Sequence, residues 1–176
     1  LNAFVQVDRD GARAAARRAE AAVVAGNDLG PLHGVPISVK DLIDVEGLRA
    51  TYGSLTLKDA IAPADSPSVA RVRAAGAIIL GKTTTSEFGY RGYTRSLVHG
   101  NTRNPWNLGR TPGGSSGGAV ASVAAGVSPF ALGTDGGGSI RAPSSLTGLV
   151  GIKANFSRIP VWPASATPTL AHVGPI

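Results

Sequence analysis

Gly76-Ala77-Ile78-Ile79-Leu80-Gly81-Lys82-Thr83 admits two readings, and they lead to different folds. Letter for letter it satisfies G-x4-G-K-T, the phosphate-binding loop. That loop needs a strand that ends before its first glycine, followed by flexible backbone that wraps phosphates. Here the four central residues are apolar and would be the strand themselves. The stretch therefore reads as a glycine that stops a helix, a buried strand at 77–80, then a turn. On its N-terminal side Ser66-Pro67-Ser68 opens a helix with proline in its first turn, running to about Ala75. A nucleotide-binding module built on Gly76–Thr83 remains the competing reading from another class.

The helix-then-strand unit recurs outward from this point. Residues 9–25 are rich in Ala and Arg without proline, which predicts a helix, stopped by Gly26-Asn27-Asp28. A Pro/Gly turn at 31–36 leads into a short strand at Ile37-Ser38-Val39-Lys40. Residues 44–66 and 89–114 read as loops. Gly117 to Ala125 predicts a helix of small residues, and Pro129-Phe130-Ala131-Leu132 a strand. Gly138 to Ser145 reads as a helix start interrupted by Pro143, Leu149-Val150-Gly151-Ile152 as a last strand, and 154–175 as mostly loop. Strands alternating with helices argue an α/β protein. No repeat and no internal domain boundary is visible.

Composition narrows the function classes. Hydrophobic residues are 43% and charged residues 16% of 176, which excludes a disordered chain. No apolar run approaches the roughly 18 residues of a membrane span. The net charge of +6 suggests nucleic acid, but the basic residues are scattered. Arg9, Arg13, Arg17 and Arg18 fall at helical spacing and read as a solvated face. No aromatic stacking platform interleaves with them, as single-strand binders require. The absence of cysteine removes disulfides, thiolate metal sites and Cys nucleophiles. The leucine start and the lack of any methionine suggest a segment of a longer protein.

Glycine (24) and proline (12) make up about a fifth of the chain, against roughly 12% in average usage. Two glycine clusters stand out. Gly113-Gly114-Ser115-Ser116-Gly117-Gly118 runs straight into an apolar helix pattern, which a flexible linker would not do. Gly136-Gly137-Gly138-Ser139 follows a buried strand and precedes a helical turn. Successive N–H groups in such a turn can converge on one point and hold an anion. A serine at that point would be placed as a nucleophile, although the run does not match G-x-S-x-G. His33 and His99 have no evident carboxylate neighbour to make either a base. Lys40 ends an apolar strand, where burial would disfavour its ammonium and free a lone pair. A pairing of Lys40 with Asp41 or Asp44 is the plainer reading of that residue alone.

Taken together these segments resemble the amidase signature family. The resemblance is carried by Leu32 to Asp41, Gly81-Lys82-Thr83, Pro112 to Gly118, Gly133 to Pro143, Leu149 to Lys153 and His172 to Pro175. It implies an α/β/α layered fold with a mixed central sheet, present here as an N-terminal and central segment, residues 1–176 of a domain whose C-terminal part is absent. It implies amide hydrolysis by a Ser-Ser-Lys triad through an acyl-serine intermediate. In that triad Lys40 is the base, Ser115 a bridging serine after a cis peptide bond, and Ser139 the nucleophile. Gly136, Gly137 and Gly138, with Ser139, match the oxyanion hole. The family commonly has Thr or Ile at Gly136, so a looser loop is expected unless it is packed from elsewhere.

The resemblance implies no cofactor and no metal. The partner expected is a small-molecule amide, with no nucleic acid and no membrane in the main reading; a homodimer is allowed for, and the location expected is cytoplasmic. Within the family the alternative is an amidotransferase A subunit acting on glutamine or asparagine for tRNA-dependent amidation. A non-catalytic fragment is the further alternative. Glu87, Phe88 and Tyr90 read either as pocket lining or as core.

Overall fold

The computed structural model describes residues 1–165 and 167–176; Ala166, inside the expected 154–175 loop, lies outside them. In chain order the elements are β1 (Phe4–Val7), α1 (Arg9–Val24), β2 (Pro36–Lys40), α2 (Pro67–Ala74), β3 (Ile78–Thr83), β4 (Arg95–Ser96), β5 (Gly100–Asn101), α3 (Gly117–Ala124), β6 (Phe130–Thr134), α4 (Arg141–Thr147) and β7 (Val173–Pro175). Five strands form one sheet in the order β1-β3-β2-β6-β7. The central three run parallel and both edge strands are antiparallel. This is the mixed sheet that the sequence suggested.

Alternation along β2 and β6 divides the core into two layers. Ile37, Val39 and Leu132 face a cluster with Val69 of α2, Ile43, Val45 and Leu48. Ala131 faces the other side, where Ala119 and Val120 of α3, Ile140 and Ile176 meet. Helices therefore cover both faces, and β2 sends Ile37 and Val39 to one side and Ser38 and Lys40 to the other. All four of those side chains are fully buried. The smallness of α3 has a steric reason. A Cβ on Gly118 would stand 2.4 Å from Thr84 N and 2.5 Å from Ala3 O.

Four expectations need correction. First, Gly81-Lys82-Thr83 is not a turn. β3 continues through it, paired with β1 at Val7 and Gln6, because the Lys82 ammonium is buried against Asp41 at 3.1 Å. Second, Leu149–Ile152 is not a strand. After the left-handed cap at Gly148 the chain runs back over α4, and Val150 is left 81% exposed. The edge beside β6 is taken by Val173–Pro175, part of the expected loop; Pro175 has no N–H to donate and suits an edge. Third, Pro143 does not interrupt a helix. It occupies the first turn of α4, where N–H groups have no intrahelical acceptor. Fourth, the expected 89–114 loop contains the β4–β5 hairpin, and β1 lies in a stretch that gave no strand signal.

Candidate active site

The carboxyl ends of β2 and β6 and the start of α3 meet at one end of the parallel strands, where open α/β sheets place ligands. β2 ends on Lys40, whose side chain is fully buried on the α3 side. Its Nζ is hydrogen-bonded to three hydroxyls: Ser115 Oγ at 2.7 Å, Ser116 Oγ at 2.9 Å and Thr134 Oγ1 at 2.8 Å. Asp41 and Asp44 are not its partners. Asp41 turns to the opposite side, to Lys82, and Asp44 accepts from the Tyr52 hydroxyl. Burial in this shell of neutral hydroxyls pushes the Lys40 pKa well below its ordinary value, against an opposing pull from the Asp135 charge. A neutral amine carries the lone pair that proton transfer requires.

The loop before α3 delivers Ser115 and Ser116. The Gly114–Ser115 peptide bond is cis. Thr94 fixes this loop from the hairpin side: its Oγ1 donates to Gly113 O at 2.9 Å and accepts from Gly117 N at 3.0 Å. The tyrosine before it explains a glycine, since a Cβ on Gly114 would lie 2.7–2.9 Å from Tyr93 backbone atoms. On the sheet side Gly133 leaves room: a Cβ there would stand 3.1 Å from Ser116 Oγ. Sequence reasoning missed Ser116 and Thr134 as partners of Lys40, and Thr94 as the anchor. The only signal for Ser116 was its adjacency to Ser115.

The second glycine cluster is organised by Asp135. Its buried carboxylate accepts from Gly138 N at 2.6 Å, Ile140 N at 3.2 Å and Arg141 N at 3.3 Å. Gly138 lines the cavity, but its N–H is thus turned inward. Among the described residues no hydrogen bond engages the N–H groups of Gly136, Gly137 and Ser139, which are the donors left for a ligand. The loop is packed from elsewhere, as a glycine at 136 demands: a Cβ there would meet Leu170 O at 3.1 Å. Ser116 N donates to Ser139 O at 3.3 Å, which ties the two glycine segments together. No hydrogen bond joins the Ser115 and Ser139 side chains among the described residues.

Ser115 and Ser139 line one cavity of about 790 Å³. Its walls include Phe88, Tyr90 and Trp162, and Phe88 and Tyr90 are exposed to it rather than part of the core. Glu87 is not among the lining residues. Among the described residues no histidine is hydrogen-bonded to Ser115 or Ser139. His33 and His99 each bond a backbone carbonyl, of Ala19 and Thr85, and His172 Nδ1 lies 3.1 Å from Asp135 O. Among the described residues no cluster of His, Cys, Asp and Glu could hold a metal ion, and no helix is long and apolar enough to cross a membrane.

The family model described as Amidase matches residues 1–176. The chain belongs to the amidase signature family. It is 48% identical to the glutamyl-tRNA(Gln) amidotransferase A subunit of Roseiflexus castenholzii, over all of this chain and 36% of that protein. It is 49% identical to an acylamidase of Rhodococcus erythropolis, over 91% of this chain and 34% of that protein. A bacterial aryl acylamidase structure, itself of the amidase signature family, superposes with a TM-score of 0.93 at 38% identity, covering 99% of this chain and 37% of that one. The chain spans about a third of the length of these relatives. As an amidase signature protein it has the mixed α/β fold of its structural neighbours.

Proposed function

We propose that this chain carries the catalytic groups of an amide hydrolase acting on linear carboxylic amides through an acyl-serine intermediate. The observation that carries the reading is Lys40, a fully buried lysine whose partners are three hydroxyls and no carboxylate. Neutral Lys40 takes the Ser115 proton, and Ser115 takes the proton of Ser139. Ser139 Oγ bonds to the carbonyl carbon, and the oxyanion sits against the free N–H groups of Gly136, Gly137 and Ser139. Collapse breaks the C–N bond, and the proton returns through Ser115 to the leaving amine. Water then attacks the ester, giving its proton to the same relay and releasing the acid from Ser139. Hydrogen bonds of this kind are often longer without substrate and tighten when it binds, which accommodates the unlinked Ser115 and Ser139.

An amidotransferase A subunit is the second reading, supported by the 48% identity to such a protein. Glutamine or asparagine hydrolysis that appears only with partner subunits would favour it. Hydrolysis of apolar amides by the protein alone would favour the hydrolase, in keeping with the aromatic cavity walls.

A fluorophosphonate probe followed by peptide mapping tests the assignment. The adduct belongs on Ser139, and Ser139→Ala loses it. Ser115→Ala should label the same residue more slowly, by about 10²–10⁴-fold, since only proton transfer is impaired. Lys40→Arg should abolish turnover, because a guanidinium stays protonated. A wild-type adduct on Ser115 would reverse the roles of the two serines.

A further inference from the structure

The strip from Phe88 to Thr94 runs against the loop that carries the bridging serine. A Cβ on Gly89 would stand 3.2 Å from Ser115 Oγ, and a Cβ on Gly114 would run into the Tyr93 backbone. Arg91 falls between those two contacts in the chain and lines the same cavity as Ser115 and Ser139. It is the one Asp, Glu, Lys or Arg among the described lining residues. Its backbone is fixed by a fully buried serine: Arg91 N donates to Ser86 Oγ at 3.1 Å, and that hydroxyl donates to Arg91 O at 3.3 Å. The guanidinium is held as well. Nη1 donates to the Tyr93 hydroxyl at 2.5 Å, and Cζ stands 5.6 Å from the Tyr93 ring centroid. Yet among the described residues it meets no carboxylate. The ion pairs there join other residues, and Nε and Nη2 donate to nothing. The surrounding sequence is of one sign: between Glu87 and Asp135 the chain carries Arg91, Arg95, Arg103 and Arg110 and no Asp or Glu.

We propose that Arg91 is a specificity-determining residue that receives a carboxylate on the amide substrate. This rests on the reading of the cavity as an amide hydrolase site and names the substrate class: amides that carry an anionic group away from the scissile bond. The free Nε–Nη2 edge is the edge with which Arg141 clasps Asp135, so this chain already shows the two-oxygen geometry that it fits. Tyr93 holds the guanidinium before any ligand arrives, which lowers the ordering cost of binding. Phe88, Tyr90 and Trp162 offer apolar surface for the rest of the substrate. Arg91 is exposed, so salt screens its charge and the discrimination is moderate rather than absolute.

The test uses two pairs of arylamides in which a methyl ketone replaces the carboxylate. Succinyl against levulinyl 4-nitroanilide places the charge on the acyl side, and 4-acetamidobenzoate against 4-acetamidoacetophenone places it on the amine side. In at least one pair the wild type should prefer the carboxylate by about tenfold in kcat/KM, mainly through KM, and added salt should shrink the ratio. Arg91→Gln should erase the ratio, Arg91→Lys should keep part of it, and Arg91→Glu should reverse it. A ratio near one in both pairs, or one that survives Arg91→Gln, overturns the proposal and leaves the hydrolase reading standing. Calorimetry on Ser139→Ala with the same four compounds reads binding without turnover. If neither carboxylate binds more tightly than its ketone, the proposal falls as well. Carboxylate binding that depends on Arg91, with a wild type that cleaves none of the four, would instead overturn the hydrolase reading and keep the anion site.

Discussion

In the proposed mechanism Lys40 acts only while uncharged, and its lowered pKa in the fold makes activity and stability rise with pH together. Unfolded, the side chain titrates near its ordinary 10.5; folded, burial places it well below that. Between the two values the unfolded chain holds a proton that the folded chain lacks, so stability rises with pH across that window. Activity rises with pH as well, through the lowered folded value, and then levels off. Lys40→Met removes both effects. The variant should be inactive, and its melting temperature relative to wild type should increase as pH falls from 10 toward neutrality. Each pH unit inside the window corresponds to about 1.4 kcal/mol. Thermal melts of both proteins from pH 6 to 10 check this; a constant difference would mean that Lys40 is charged in the fold.

The elements are joined by two kinds of close contact, and each predicts a different cost. α3 meets the end of β3 and the segment before β1 at Gly118, where an added methyl would run into the backbone of Thr84 and Ala3 and the Thr84 hydroxyl. Gly118→Ala should cost about 1–3 kcal/mol by overpacking. Gly137→Ala, whose Cβ would meet nothing within 4 Å, should leave denaturant midpoints near wild type. On the other sheet face Lys82 and Asp41 form an ion pair with no exposure, supported by Thr51 N and Arg49 O. Lys82→Met strands a buried carboxylate and should cost about 3–5 kcal/mol, while adding Asp41→Leu should recover much of the loss. Urea unfolding of the single and double variants measures the coupling. The apolar run at 149–152 shows where element reading fails: hydrophobicity implied a buried strand, yet the edge of β6 is taken by β7, and Ile176 just past it exchanges a pair of backbone hydrogen bonds with Ala131 of β6.

At the scale of the molecule, the sheet order decides what the phosphate-loop match can mean. With β3 second from the edge and paired on both sides through Lys82 and Thr83, the whole G-x4-G-K-T match except its first two residues is strand. The Lys82 ammonium that would reach a phosphate is sealed against Asp41. Calorimetry with ATP or GTP should therefore show no micromolar binding, and ATP should not protect Lys82 from chemical labelling. The cavity instead is lined by both serines, by Thr134 at the end of β6 and by the aromatic side chains of Phe88, Tyr90 and Trp162.

Fold class, the helices at 9–25, 67–75 and 117–125, and the strands that carry Lys40 and precede Asp135 were legible in the sequence, because proline, glycine and apolar spacing act locally. The glycine–serine segments were legible as well, since their density is costly in a chain without close backbone approach. Only the tertiary structure decided the rest. Thr94, Ser116 and Thr134 are inconspicuous in sequence and become partners through contacts 18–94 residues apart. That Lys40 would meet hydroxyls while its neighbour Asp41 turns to Lys82 was likewise invisible, because adjacent residues here face opposite sides of the sheet. Which carboxylate meets which cation is settled by the three-dimensional partner, Lys82 for one and Arg141 for the other.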